Sequence, residues 1–203
     1  MEAKPRDGGW IEVICGPMFS GKTEELIRRL RRASYAQLGV AVFKPALDDR
    51  FAKDAVVSHS DQRYAAFPVS SASEILALLD DSVEVVGIDE AQFFDASVVS
   101  VAERLAADGR RVVLAGLDTD YRGAPFDPMP DLMARAEYVT KLLAICVRCG
   151  NPANRSARLL PGDARVAVGA SESYEPVCRR CHGAECDTAA SASSQPASRE
   201  DKR

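Results

Sequence analysis

No apolar run in the sequence approaches the ~20 residues that a membrane-spanning helix needs. The first residues, MEAKPRDGGW, lack the apolar stretch of a signal peptide. A soluble, cytoplasmic protein without a membrane partner is the expectation. Basic charge is also short. Lys and Arg number 26 against 30 Asp and Glu, a formal net charge of −4. Dedicated nucleic-acid binders are usually basic, so the balance speaks against nucleic acid as a partner. Internal repeats are absent. Beyond Asp187 large apolar residues all but vanish, as in TAASASSQPASREDKR. A segment of that kind cannot offset its ordering entropy. Residues 187–203 are expected to form a disordered tail, and residues 1–9 a flexible N-terminus.

What remains suits one sizeable domain with a small appendage: 203 residues, 46% of them hydrophobic and 28% charged. Residues 10–15 read as a strand. Residues 23–37 read as a helix whose apolar stripe is Leu26, Ile27 and Leu30. Residues 40–43 read as a second strand, and residues 45–63 as a long loop with no clear period. SASEILALLD suggests a helix with Ser71 and Glu74 spaced as a capping box. VEVVGIDE is an apolar strand ending in acid, residues 96–107 a helix, RVVLAGL a buried strand, and residues 136–145 lead into a last strand. Apolar strands alternating with helices predict an α/β fold, a parallel sheet covered on both faces. Residues 10–145 are assigned to that domain, and residues 146–186 to a small cysteine-bounded one.

Between the first strand and the first helix lies GPMFSGKT, a Gly-x-x-x-x-Gly-Lys-Thr run. Gly16 and Gly21 bound a loop of Pro17, Met18, Phe19 and Ser20 and let its N–H groups converge on a phosphate at a helix N-terminus. Lys22 reaches for the β- and γ-phosphates, and the Thr23 hydroxyl is suited to Mg²⁺. VVGIDEAQFF supplies the second half of such a site. Asp89 closes its strand as a Mg²⁺ partner, and Glu90 follows. Glu90 is either a solvated loop carboxylate or a base near the γ-phosphate. A base there activates water in an ATPase or deprotonates a substrate hydroxyl in a kinase. The Asp-Glu pair alone does not choose.

Four of the six cysteines form two pairs, Cys146-x-x-Cys149 and Cys178-x-x-Cys181, with 28 residues between the pairs. With no export signal, this spacing reads as four thiolates for structural Zn²⁺ and not as disulfides. His182 adjoins the set as a possible substitute ligand. His59 reads as a plain polar residue, Cys15 as a small core residue, and Cys186 carries no clear message. The stretch between the pairs, containing VAVGASESY, is either the hairpin of the zinc unit or a flap that closes over a small acceptor.

Together GPMFSGKT, GIDEAQFF, GLDTDYRGAPF and the two cysteine pairs, in this order and spacing, resemble the zinc-containing (type II) thymidine kinases. The resemblance spans residues 10–183 and implies a P-loop, RecA-like fold with a zinc-ribbon-like unit. It also resolves the fork: the implied reaction is transfer of the ATP γ-phosphate to the 5′-hydroxyl of thymidine, giving dTMP. By resemblance Glu90 is the catalytic base, Met18 closes the thymine pocket, and Gln92, Phe93 and Phe94 follow the base. Leu117 and Tyr121 form the wall against the ring; the family usually has Phe at the latter. Ser156 lies near the thymine 5-methyl group. Residues 166–174 are similar to a lasso loop whose backbone, through Val166, Ala167, Val168 and Gly169, binds the pyrimidine and approaches the sugar. Tyr174 packs near the nucleoside. Ala170 stands where members often have a second glycine. Arg50 and Arg158 are placed near the phosphates. The resemblance further implies a homotetramer and inhibition by thymidine triphosphate as a two-substrate mimic. Two other readings share some of these features: a RecA-like ATPase acting on nucleic acid through its zinc ribbon, and a non-catalytic nucleotide-binding module.

Overall fold

The computed structural model describes residues 8–46, 55–57, 63–159 and 173–183. The expectations for Arg50, His59, Ala170 and Cys186, for residues 166–169 and for both termini lie outside the described residues.

Six strands form one parallel sheet in the order β5-β2-β6-β7-β1-β8. They are β1 (Trp10–Cys15), β2 (Gly39–Pro45), β5 (Phe67–Val69), β6 (Val83–Ile88), β7 (Arg111–Gly116) and β8 (Tyr138–Lys141). A two-stranded hairpin, β3 (Ala55–Val57) with β4 (Arg63–Ala65), stands apart from this sheet.

The sheet is buried on both faces, and the alternation of strand side chains sorts two cores. Ile11, Val13 and Cys15 of β1, Val112 and Leu114 of β7, and Val86 and Ile88 of β6 pack on one side. They meet helices α2 (Ala72–Leu78), α3 (Ser97–Ala107) and α4 (Met129–Arg135) through residues such as Ile75, Val98, Leu105 and Leu132. The intervening Ile14, Val113, Ala115 and Val85 face the other way and meet Leu26, Ile27 and Leu30 of α1 (Lys22–Tyr35). The expected α/β class and the stripe of α1 are therefore observed.

A third, much smaller core gathers Ala144, Cys146, Ala153, Val177, Cys178 and Cys181. It is built from two antiparallel pairs, β9 (Ala144–Ile145) with β10 (Pro152–Ala153), and β11 (Arg155–Arg158) with β12 (Tyr174–Val177). A single helical turn, α5 (Arg179–His182), follows.

Several local expectations are corrected. The loop expected over 45–63 includes part of the β3–β4 hairpin, and β5 follows at once. Helix α4 has no counterpart among the expected elements, because prolines at its start hide a turn of only 7 residues. The last expected strand divides. Leu142 donates its amide to the Cys15 carbonyl at 2.8 Å, which ends the sheet, and the chain then joins the cysteine unit as β9. The capping box does not close reciprocally. The Ser71 hydroxyl reaches the Glu74 carboxylate instead of a backbone amide, and Glu74 accepts from the Ser70 amide at 3.1 Å.

Candidate active site

The carboxyl ends of β1, β6 and β7 are adjacent in the sheet, so the loops after them share one edge. In parallel α/β sheets that edge is where ligands bind. The loop after β1 carries the phosphate motif. Gly16 (φ 146°), Phe19 (φ 62°) and Gly21 (φ 82°) all take positive φ, and Gly21 caps α1. Such a backbone turns successive amides inward. Phe19 adopts the left-handed region at a cost that glycine avoids. Lys22 folds back so that its Nζ donates to the Pro17 carbonyl at 2.8 Å. The Ser20 hydroxyl donates to the same oxygen at 2.8 Å. Burial pulls the Lys22 ammonium below its ordinary value, while Glu90, Asp89 and Asp118 act to keep it charged.

The loop after β6 brings the two acids to this cradle. The Thr23 hydroxyl donates to Asp89 Oδ2 at 3.2 Å. Burial, with Glu90 as a like charge beside it, pushes the Asp89 carboxyl up to about 7. Two hard oxygen donors side by side in a buried, proton-hungry setting fit a Mg²⁺ ion, which keeps several waters and takes few protein ligands. Glu90 sits in the left-handed region (φ 51°, ψ 43°) and starts a 3₁₀ turn over Ala91–Phe93. Its Oε2 accepts from Gln92 Nε2 at 2.5 Å. Gln92 is itself buried, and its Oε1 accepts from the Leu117 amide at 3.0 Å. Consecutive carboxylates therefore have separate partners, Asp89 the phosphate helix and Glu90 the Gln92 side chain, which in turn holds the loop that follows β7.

Of the residues expected on the nucleoside side, Leu117 is half-buried beside Gln92, and Phe93 stands edge-on to Phe126 with centroids 6.2 Å apart. Phe94 belongs to the main core, which leaves Phe93 as the aromatic at the edge. The Ser156 hydroxyl, on β11, accepts from the Met18 amide at 2.9 Å. This bond joins the cysteine unit to the phosphate loop. Tyr174 is buried on β12, opposite Arg158. Arg158 lies with its guanidinium 5.4 Å from the centre of the Tyr121 ring.

Lys44 had no motif to mark it and Asp118 lay within GLDTDYRGAPF with no role assigned, yet both are buried and charged at strand ends on this edge. Lys141 Nζ lies 2.6 Å from Asp118 Oδ2, and Asp118 Oδ1 is buried without a hydrogen-bond partner. For Lys44 a single charge near the end of an apolar strand was the sequence signal available. Cys15 behaves as the core residue expected, with burial and Asp118 pushing its thiol up to about 11.

The sulfurs of Cys146, Cys149, Cys178 and Cys181 lie within 4.8 Å of one another, a group that could hold a metal ion. Tetrahedral Zn–S bonds of ~2.3 Å put sulfurs ~3.8 Å apart, and Cys149 Sγ is 3.6 Å from Cys178 Sγ. Hydrogen bonds from Asn151 hold the Cys149 thiol down to about 7, favouring the thiolate a metal needs. His182 is not directed to the sulfurs through Nε2, which lies 2.7 Å from the Tyr121 carbonyl oxygen.

Among the described residues no helix is long and apolar enough to cross a membrane. Two solved structures overlap this chain loosely. Domain III of the Thermotoga maritima replication initiation protein DnaA gives a TM-score of 0.39 at 19% identity, covering 65% of this chain and 54% of that one. The Legionella pneumophila ATPase DotB gives 0.44 at 16% identity, covering 75% and 44%. Overlaps of this size carry no argument. Sequence relatives are far more informative. A thymidine kinase of Rhodothermus sp. (strain ITI 518) is 58% identical over 189 residues, covering 93% of this chain and 88% of its own. The family model described as thymidine kinase matches residues 9–182. With a phosphate cradle, two divided acids and a cysteine cluster in place along that span, the chain belongs to the thymidine kinase family.

Proposed function

We propose that Glu90 is the residue that accepts the proton of the thymidine 5′-hydroxyl during phosphoryl transfer. Family membership sets the reaction class: the chain is a kinase that phosphorylates thymidine with ATP to give dTMP. The bond from the 5′-oxygen to the γ-phosphorus forms, the bond from that phosphorus to the β–γ bridging oxygen breaks, and ADP leaves. The transition state of such transfers is loose, so alignment and charge stabilisation contribute most of the acceleration. Lys22 and the amides of Met18, Phe19, Ser20 and Gly21 hold the triphosphate. Thr23 and Asp89 would hold Mg²⁺, which neutralises charge on the β- and γ-oxygens when bound. The observation that carries the assignment is the chain Glu90–Gln92–Leu117, which fixes the carboxylate against the nucleoside-side loop while Asp89 faces Thr23.

Met18, Gln92, Phe93, Leu117, Tyr121, Ser156 and Tyr174 form the nucleoside side in this reading, with residues 166–169 completing it through their backbone. A pocket built for a pyrimidine admits deoxyuridine and excludes purine nucleosides. The four clustered cysteines hold structural Zn²⁺. Thymidine triphosphate is a feedback inhibitor that spans both sites. Self-association, as a homotetramer by family resemblance, is supported by exposed Val139 on the edge strand β8 and exposed Leu143, Ile145 and Val147 just beyond it. The working compartment is the cytoplasm.

ATP consumption by purified protein, measured with and without thymidine and with and without DNA, tests the assignment. Thymidine-dependent turnover, with deoxyguanosine inert, is expected. Hydrolysis stimulated by DNA and indifferent to thymidine would restore the motor reading.

A further inference from the structure

Three of the contacts between the cysteine unit and the active-site edge, among the described residues, stand out. Ser156 holds the Met18 amide. Arg155 crosses Gly123 so closely that a Cβ at Gly123, whose φ is 78°, would come within 2.9 Å of Arg155 Nε. The third contact is His182 Nε2 on the Tyr121 carbonyl, 2.7 Å away. A carbonyl oxygen only accepts, so Nε2 carries the proton.

Both ends of that third contact are held. The His182 amide donates to the Cys178 carbonyl at 3.0 Å within α5, the turn that carries Cys181. His182 is thus fixed relative to the sulfurs. Tyr121 lies in a loop that closes on itself. Asp120 Oδ1 accepts from the amides of Arg122 at 2.9 Å and Ala124 at 3.0 Å, and Thr119 bridges Pro125. Such a loop moves as one piece. Its ring is flanked by the guanidinium groups of Arg122 and Arg158, at 5.1 and 5.4 Å. Arg158 of β11 packs on the ring, while His182 holds the Tyr121 backbone.

We propose that His182 is a positioning residue that transmits the geometry of the cysteine cluster to the Tyr121 loop and so sets one wall of the nucleoside pocket. The proposal rests on the reading of Tyr121 as part of that wall. It assigns the metal-bearing unit a share in thymidine affinity, beyond its role as a fold element.

The test compares His182→Ala, His182→Gln and Tyr121→Ala in the full chain. Steady-state constants are measured for thymidine and for ATP, with thymidine binding by calorimetry, metal content per chain and thermal melting. Loss of one hydrogen bond predicts that His182→Ala weakens thymidine binding and raises its KM roughly three- to tenfold. The KM for ATP and the metal content stay unchanged. Glutamine places an N–H donor near the position of Nε2, so His182→Gln restores most of the affinity. The proposal is overturned if thymidine affinity is unchanged in His182→Ala, if the loss arrives only together with loss of metal, or if glutamine fails to rescue. Tyr121→Ala separates the two layers. A thymidine defect there without one in His182→Ala removes the tether and leaves the wall. No defect in Tyr121→Ala removes the wall itself, and the tether with it.

Discussion

The α/β body and the cysteine unit hold themselves together by different means. The body buries Phe43, Ile14, Leu26, Ile27, Leu30, Ile75, Leu105 and Leu114 completely, on both faces of a six-stranded sheet. At ~25 cal/mol per Å² such side chains contribute on the order of 1.5–3 kcal/mol each. The core of the cysteine unit is alanine, one valine and the cysteines themselves. Nothing in it is large enough to offset the ordering of 4 short strand segments. One region has its structure from its own side chains. The other has it conditionally, through whatever links its sulfurs. The two meet at the catalytic edge, where Ser156 binds the phosphate loop. Catalysis therefore draws on an autonomous part and a dependent part at once.

The sharpest way to separate their roles is to strike the body. Glu90→Gln keeps the side chain's shape and removes the base. Turnover is expected to fall about 10²- to 10⁴-fold, with the melting temperature and ATP binding retained; near wild-type turnover would remove Glu90 from its role. The corresponding strike on the cysteine unit is Cys178→Ser, or prolonged chelation under reducing conditions. Loss of an outer-shell partner alone costs roughly 10–100-fold in metal affinity, and loss of a ligand should cost at least that. Thymidine turnover should collapse while the main calorimetric transition of the body persists. A single transition that shifts as a whole would show that the two regions are one cooperative unit.

A subtler probe is Gln92→Ala. It leaves the buried Leu117 amide without its acceptor and frees Glu90, so stability is expected to fall by about 1–3 kcal/mol, accompanied by a lower kcat. Denaturant unfolding with parallel kinetics would show both, and a loss of stability alone would make Gln92 merely structural. The smallest effect concerns protons. Asp89 moves from an ordinary 3.8 up to about 7 in the folded chain. The folded state then binds more protons than the unfolded state between those values, and its stability falls as pH rises from about 4 to about 7. Asp89→Asn should flatten that part of the curve relative to the parent chain, and Mg²⁺–ATP should flatten it too. Identical slopes for parent and variant in nucleotide-free protein would contradict the shift.

Much of the body was legible because its signals are repetitive. Strand alternation sorts Val112 from Val113, and a stripe such as Leu26, Ile27 and Leu30 repeats at helical spacing. The phosphate loop was legible because its glycines and Lys22-Thr23 sit at fixed intervals between a strand and a helix. Lys44 has no such interval, and Asp118 lay within GLDTDYRGAPF with no role assigned. Only the assembled sheet reveals that these strand ends converge. Helix α4 was hidden by its prolines and its brevity. His182 was noticed only as a substitute ligand beside a shell that four cysteines already complete. Beside Cys181 it reads as a spare ligand, whereas its partner is a carbonyl 61 positions earlier in the chain, and no local pattern encodes a contact of that range.

The left-handed backbone at Glu90 has a practical consequence. Glycine would occupy φ 51° without the penalty of roughly 1–2 kcal/mol that a side chain meets there. Glu90→Gly also takes the acceptor from the buried Gln92 side-chain amide, a loss of similar size, so it is expected to melt close to the parent, and to be dead. A directed-evolution campaign scored on heat resistance alone would be blind to loss of the very group the chemistry uses, so any such screen on this scaffold needs turnover as a second filter.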